Sequence, residues 1–451
     1  MIKLFFGEAL LPSGWARNVA VEVAPDGTFA SVEPNTVPKA DAVRAGIAVP
    51  GMANLHSHAF QRGMAGLAER AGPEEDSFWT WREVMYGFLD RLGPDDVEAI
   101  AGQLYVEMLE AGFTAVGEFH YLHNDPRGRA YADPAELAER IVAASETTGI
   151  ALTHLPVLYH QGGFGAAPPT PGQRRFVMDV EALLGLAQTL RARHPDLVVG
   201  AAPHSLRAVT PESLRRLVEA CGNGPLHIHA AEQEKEVRDC LAWSGRRPVR
   251  WLLDEVGLDA RWCLVHCTHL DEGEVRDLAA STAVVGLCPV TEANLGDGIF
   301  RGVDYLASGG RFGIGSDSHI RIDLADELRS LEYSQRLRDR RRNRLAAPGH
   351  SVGRTLFEKA LSGGAQALAQ DMGAIVVGRR ADIVTLDPEH PALVGRSGDA
   401  LLDGWIFAAR TPPVDTVRVG GRLLVEGGLH VASEAVAWCF ERTMRGLLAD
   451  A

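Results

Sequence analysis

About eight times in this 451-residue chain a short apolar run is followed by a stretch with helical signals, and that rhythm constrains the fold more than any other feature. The runs are residues 47–55, 112–117, 150–155, 197–202, 225–229, 262–266, 283–288 and 311–317. Parallel strands joined by helices in that number close into a (β/α)8 barrel of the α/β class. Helix-start signals fall between them, as in Pro94-Asp95-Asp96 before residues 97–109 and Thr210-Pro211-Glu212 before residues 213–220. A doubly wound open sheet is the alternative, and the placement of polar residues decides between the two.

Most runs end, on the carboxyl side, in a residue able to bind metal or move protons: His56 and His58, Glu118 with His120, His204, His229, His266 and Asp317. A barrel brings all its carboxyl ends to one mouth, so residues distant in sequence become neighbours there. His56 and His58 are two apart on an extended segment and point to one side. Two imidazoles make half a tetrahedral zinc site; His229 and Asp317 supply a third nitrogen and a carboxylate. Glu232 follows His229 by three residues, where it can enter the mouth as a proton shuttle without ligating the ion. His266 stands at another strand end, placed to orient water or stabilise developing charge. His227 lies one layer deeper than His229 and reads as packing.

Residues 1–49 alternate in the β manner but lack the mass for their own core. A matching β patch recurs at 382–386, 417–421 and 422–425, and two fragments with unpaired edges are expected to meet in space as one small domain. The expected division is 1–49 and 369–430 for that domain, 50–368 for the barrel, and 431–451 for a terminal helix. A net charge of -14 argues against a general nucleic-acid or anionic-membrane surface. The apolar run at Met1–Gly7 is too short for a secretory signal, no stretch reaches the length of a membrane span, and six cysteines without a Cys-x-x-Cys pair suit a reducing compartment. The expected location is the cytoplasm. The loop after the first strand carries Phe78-Trp79-Thr80-Trp81-Arg82, and Arg207 follows His204 by three residues. Two guanidinium groups able to reach one mouth suggest recognition of carboxylates.

His56-Ser57-His58 after Pro50-Gly51, His229-Ala-Ala-Glu232, Val265-His266-Cys267 and Gly315-Ser316-Asp317 resemble the amidohydrolase superfamily, in its metal-dependent deaminase branch. Gly378-Arg-Arg-Ala-Asp382 resembles the strand with which such proteins resume their small β domain. The resemblance implies a (β/α)8 barrel with a composite β-sandwich built from both termini, a homodimer, and a reaction in which Asp317 and His266 help take the proton from water while Glu232 delivers protons to the departing nitrogen. Binuclear members carry a bridging lysine at the end of the fourth strand; here that segment is Ala201-Ala-Pro-His204, so one metal ion is expected. Zinc is the expected ion, with iron, manganese or nickel as alternatives the same donors accept.

The motifs around Gln61, Arg82, Tyr121, His204 and Arg207 resemble those members that hydrolyse a linear formimino dicarboxylate. That implies these five residues line the pocket, and that N-formimino-L-glutamate and water give N-formyl-L-glutamate and ammonia, a step of histidine degradation. A deaminase of guanine or another heterocycle is the nearest rival. A non-catalytic barrel scaffold is the rival from another class.

Overall fold

The computed structural model describes residues 1–72 and 76–449. Eight strand positions form a parallel barrel in the order Leu226–Ala230, Trp262–His266, Val284–Leu287, Arg311–Ile314, Met52–Ser57, Phe113–His120, Ala151–Leu158 and Val198–Val199. The ring closes through the short strand Ala202–Pro203, which pairs with Ala151–Leu158, and through parallel bridges from Ala201 to Leu226 and from Ser205 to His229. The expected barrel is therefore present. Its fourth strand, expected as continuous over 197–202, is instead broken into two-residue pieces. At the break, Gly200 sits so close to the neighbouring strand that a Cβ there would lie 2.5 Å from the carbonyl oxygen of Pro225.

Both termini enter one eight-stranded sheet, in the order Leu429–His430, Arg422–Glu426, Val414–Val419, Ile383–Leu386, Val43–Pro50, Ile2–Leu11, Gly14–Val23, Phe29–Glu33. The join is antiparallel, with Ile383 opposite Pro50 and Leu386 opposite Ile47. Its core mixes Leu4, Phe6, Val19 and Val21 with Ile375, Ala381 and Ile383, so the two ends supply jointly the apolar area that neither holds alone. One expectation needs correction: the apolar run from Ile47 to His58 is two strands in two sheets. Val43–Pro50 belongs to the terminal sheet and Met52–Ser57 to the barrel. The chain changes sheets at Gly51, where a Cβ would lie 2.3 Å from Thr114 Oγ1, so only glycine fits.

Leu55 fills the barrel floor beneath the histidines. Two glycines on other strands make room for it: a Cβ on Gly286 or Gly313 would come 2.7 or 2.3 Å from the leucine side chain, and one on Gly117 would lie 2.6 Å from its carbonyl oxygen. Gly313 also abuts the backbone of Gly364, in the helix Val352–Leu368. Gly313→Ala is expected to destabilise the protein by roughly 1–3 kcal/mol through overpacking, read as a lower thermal midpoint. An unchanged midpoint would mean that the floor is not tightly packed.

Candidate metal centre and active site

Strand Met52–Ser57 pairs with Phe113–His120 through a register shift between Asn54 and Ser57. One extra residue on the first strand bends it locally, so Leu55 enters the floor while His56 faces the mouth. His58 follows directly after the strand. Its backbone N–H donates to Asp317 O at 3.3 Å, and Asp317 N–H donates to His56 O at 3.1 Å, which ties the ends of two strands together.

The four expected ligands converge. His56 Nε2 is 3.1 Å from both His58 Nε2 and His229 Nε2, and Asp317 Oδ1 is 3.4 and 3.3 Å from His56 and His58 Nε2. His58 Nδ1 donates to Phe119 O at 3.1 Å and His229 Nδ1 to His204 O at 3.0 Å. Because carbonyls only accept, both Nε2 atoms carry bare lone pairs turned toward the same point. Burial and neighbouring imidazoles hold His56 and His229 well below the ordinary histidine value, which keeps them neutral, as ligation requires. Four buried acceptors facing one another repel unless a cation lies among them. Edges of 3.1 to 3.4 Å also suit an ion about 2.0–2.1 Å from each donor. The residues present fit a single divalent ion.

Around this cage the backbone is strained. Ala231, His266, Cys267, Asp317 and His319 all have positive φ, between 48° and 69°, at the carboxyl ends of three strands. Left-handed conformation costs roughly 1–2 kcal/mol for each such residue, and it clusters where side chains must be aimed rather than packed. A buried network holds the arrangement: Asn54 Nδ2 donates to Ser316 Oγ at 2.5 Å, Ser316 Oγ meets His319 Nδ1 at 2.9 Å, and His58 N–H donates to His319 Nε2 at 3.2 Å.

His266 sits between carboxylates. Its Nδ1 is 3.3 Å from Glu292 Oε1, and its Nε2 is 3.8 Å from Asp317 Oδ2 and 4.0 Å from Glu232 Oε1. Burial works against charge on His266, yet Glu232, Glu292 and Asp317 together lift it to about 10. Glu232 is itself pushed up by burial, against the opposing pull of His266 and Arg207. Asp317 thus turns one oxygen toward the cage and the other toward His266.

Gln61, Arg82, Tyr121, His204 and Arg207 line one cavity of about 580 Å³, counting the space open to solvent at its mouth, together with His58, His229, Glu232, His266 and Asp317. His56 lies fully buried behind them. Gln61 Nε2 donates to Tyr121 OH at 2.8 Å, and the His204 ring lies 4.8 Å from that of His229. The segment read from sequence as a loop at 78–82 is the start of a helix, Phe78–Leu89, capped by Ser77 and Thr80 in a reciprocal box. That Ser-x-x-Thr spacing was the available signal.

Two expected mouth residues are elsewhere. Glu118 and His120 face away from the cavity, because Phe119 is the inward residue of that strand; its ring centroid is 5.1 Å from that of His56 and 4.6 Å from that of His229. Glu118 instead braces the ligand segment, accepting from Ser57 Oγ at 2.5 Å and Ala59 N–H at 2.7 Å. His120 packs beside His123 and His154. The sequence reading missed Glu292, His319 and Phe119. His319 had a signal, a second imidazole two residues beyond Asp317.

Burial holds His123 at about 4 and His154 at about 3, and His227, bonded to Ala367 O, at about 4. In the unfolded chain these groups return to ~6.5, so between about 6.5 and 3 the unfolded state binds more protons than the folded one. Their stabilising contribution is complete above about pH 6.5 and is lost as pH falls through that window. Urea unfolding is expected to give a free energy that drops steadily from pH 7 to pH 4; a flat profile would contradict the buried neutral cluster.

Comparison with known proteins agrees with this geometry. Residues 47–424 match the model of the amidohydrolase family, and residues 1–46 match that of the formimidoylglutamate deiminase HutF N-terminal domain. The chain is similar to formimidoylglutamate deiminase of Pseudomonas aeruginosa, 54% identical over 99% of this chain and all of the relative. It is also similar to the crystal structure of an amidohydrolase from Brucella melitensis, with a TM-score of 0.95 and 50% identity over 99% of this chain and all of that one. An adenosine deaminase from Xanthomonas campestris with bound zinc shares the fold, at a TM-score of 0.82 and 20% identity, covering 99% of this chain and 98% of that one.

Proposed function

Because this chain belongs to the amidohydrolase family and is a hydrolase acting on carbon–nitrogen bonds, we propose that it converts N-formimino-L-glutamate and water into N-formyl-L-glutamate and ammonia. The observation that carries the choice of substrate is a pair of arginines beside the cage that no carboxylate of the described residues holds at hydrogen-bond distance. Arg82 has no carboxylate partner among the described residues, and Arg207 has only Glu232 at 3.8 Å. The Nε atoms of both are buried without a hydrogen bond. Elsewhere, Arg62, Arg140, Arg174 and Arg247 hold carboxylates at 2.6 to 2.8 Å. Two guanidinium groups with open donors in one cavity suit a ligand that brings two carboxylates of its own. A neutral purine would leave both unpaired.

The cage is proposed to hold one zinc ion through His56, His58, His229 and Asp317, since three imidazoles and a carboxylate match its preferences. When bound, the ion supplies Lewis acidity that lets water attack near neutral pH. The chain's own residues do the rest. Water adds to the formimino carbon, Asp317 Oδ2 accepts its proton, and the positively charged His266 beside it stabilises the charge that develops. Glu232, whose burial favours the protonated form, gives a proton to the departing nitrogen. The proton held by Asp317 passes to the same nitrogen, Glu232 takes back a proton from the new hydroxyl as the carbon–nitrogen bond breaks, ammonia leaves and the formyl carbonyl forms. Arg82 and Arg207 bind the carboxylates, while Gln61, Tyr121 and His204 flank the reacting end.

The proposal extends to a cytoplasmic homodimer acting on a small dicarboxylate, without nucleic acid or membrane. Support comes from the family and from the charge of -14, and no helix among the described residues is long and apolar enough to cross a membrane. We also propose the division 1–49, 50–368, 369–430 and 431–451, its first boundary falling one residue short of the end of the terminal-sheet strand Val43–Pro50. An ammonia-release screen tests the substrate, comparing N-formimino-L-glutamate with guanine and S-adenosylhomocysteine. Release from the linear compound is expected, and release only from a heterocycle would defeat the assignment. Elemental analysis of the purified protein accompanies it: a scaffold would hold no divalent ion.

A further inference from the structure

We propose that Trp79 is a positioning residue, holding Arg82 and Arg207 as a spaced pair for two carboxylates; this rests on the dicarboxylate reading above. Trp79 is the second residue of the helix Phe78–Leu89, half-buried and behind the residues that line the cavity, and Arg82 follows one turn later on the same face. The Arg82 guanidinium carbon lies 4.7 Å from the Trp79 ring centroid. Arg207 comes from a different segment, after the strand Ala202–Pro203, yet its guanidinium carbon is 5.6 Å from the same ring. Two elements distant in sequence thus present like charges to one indole.

The physical need for such a ring is direct. Two guanidinium groups in a partly dry cavity repel each other, and no carboxylate of the described residues holds either at hydrogen-bond distance, Glu232 lying 3.8 Å from Arg207. An aromatic face attracts cations, and indole does so most strongly. A ring touching both offsets their repulsion and limits how far each can swing, so the pair stays open and correctly spaced before the dianion arrives. Lys235 Nζ also approaches the ring, at 5.5 Å, but it is paired with Asp239 at 2.6 Å and its charge is already met. Tyr86 at 5.6 Å from Arg82 and Phe78 at 5.9 Å from Arg207 each reach one arginine only; Trp79 reaches both.

The test compares wild type with Trp79→Leu, Trp79→Phe and Trp79→Tyr, reading steady-state kinetics and, separately, glutarate binding by calorimetry. Glutarate carries two carboxylates and no scissile carbon–nitrogen bond, so its affinity reports the arginine pair independently of turnover. In Trp79→Leu the KM for N-formimino-L-glutamate and the glutarate Kd are expected to rise together on the order of tenfold, with kcat within about twofold of wild type. The aromatic variants are expected to recover most of the loss and, should the leucine variant fold poorly, decide the matter on their own. Unchanged glutarate affinity in Trp79→Leu would overturn the proposal. So would a loss of kcat at constant KM, or aromatic variants no better than leucine. Wild type that binds glutarate but leaves the formimino compound intact would refute the substrate reading while the glutarate series still judges Trp79. Wild type that binds no glutarate would end both.

Discussion

Glu232→Gln is expected to lower kcat by ~10³-fold or more while metal content and thermal stability stay at wild-type levels. Glutamine keeps the size of the side chain and can still face Arg207 and His266, but it has no proton to give the departing nitrogen. The ligand atoms come from His56, His58, His229 and Asp317, so the cage is intact in the variant. An interaction needed only in the transition state should reduce kcat and kcat/KM alike and leave KM nearly unchanged. Normal turnover would remove Glu232 from the mechanism and leave Asp317 as the remaining proton carrier.

The second large effect concerns the two cavity arginines. Arg82→Met and Arg207→Met are each expected to lower kcat/KM for N-formimino-L-glutamate by about 10²-fold, from loss of a charged hydrogen bond in a desolvated site. The two should differ in how the loss divides. Arg82 has no carboxylate neighbour among the described residues, so its removal should raise KM and spare kcat. Arg207 stands 3.8 Å from Glu232 and holds that carboxyl group down against burial. Without it the Glu232 value rises further, and the alkaline limb of the kcat profile, where the general acid loses its proton, should move to higher pH. An unchanged kcat/KM in either variant would mean that the guanidinium group does not meet the substrate.

Much of the architecture could be read from residue types because barrel geometry turns strand ends into neighbours. His56, His58, His229 and Asp317 are spread over more than half the chain, yet each follows an apolar run, and that placement alone brought them together. The pairing of the termini followed from two β patches that lacked partners. What could not be read was parity. The strand Phe113–His120 is buried on both faces, so it carries no alternation of apolar and polar residues to say which side chains point inward. Glu118 and His120 were therefore expected at the mouth, where Phe119 stands instead. The split at Gly51 was hidden for a related reason: both halves of the run from Ile47 to Leu55 are apolar because each is buried in a different sheet. The helix at Phe78 was obscured by aromatic residues of low helix propensity in its first turn. Glu292 and the bracing role of Glu118 depend on contacts between segments and leave no local trace.

The most direct measurement is the identity of the products. Proton NMR of N-formimino-L-glutamate incubated with the metal-loaded enzyme should show N-formyl-L-glutamate accumulating in step with one equivalent of ammonia. Appearance of free glutamate with formamide would mean that the other carbon–nitrogen bond is cleaved. Persistence of the starting compound, with metal confirmed in the protein, would contradict the account at its root.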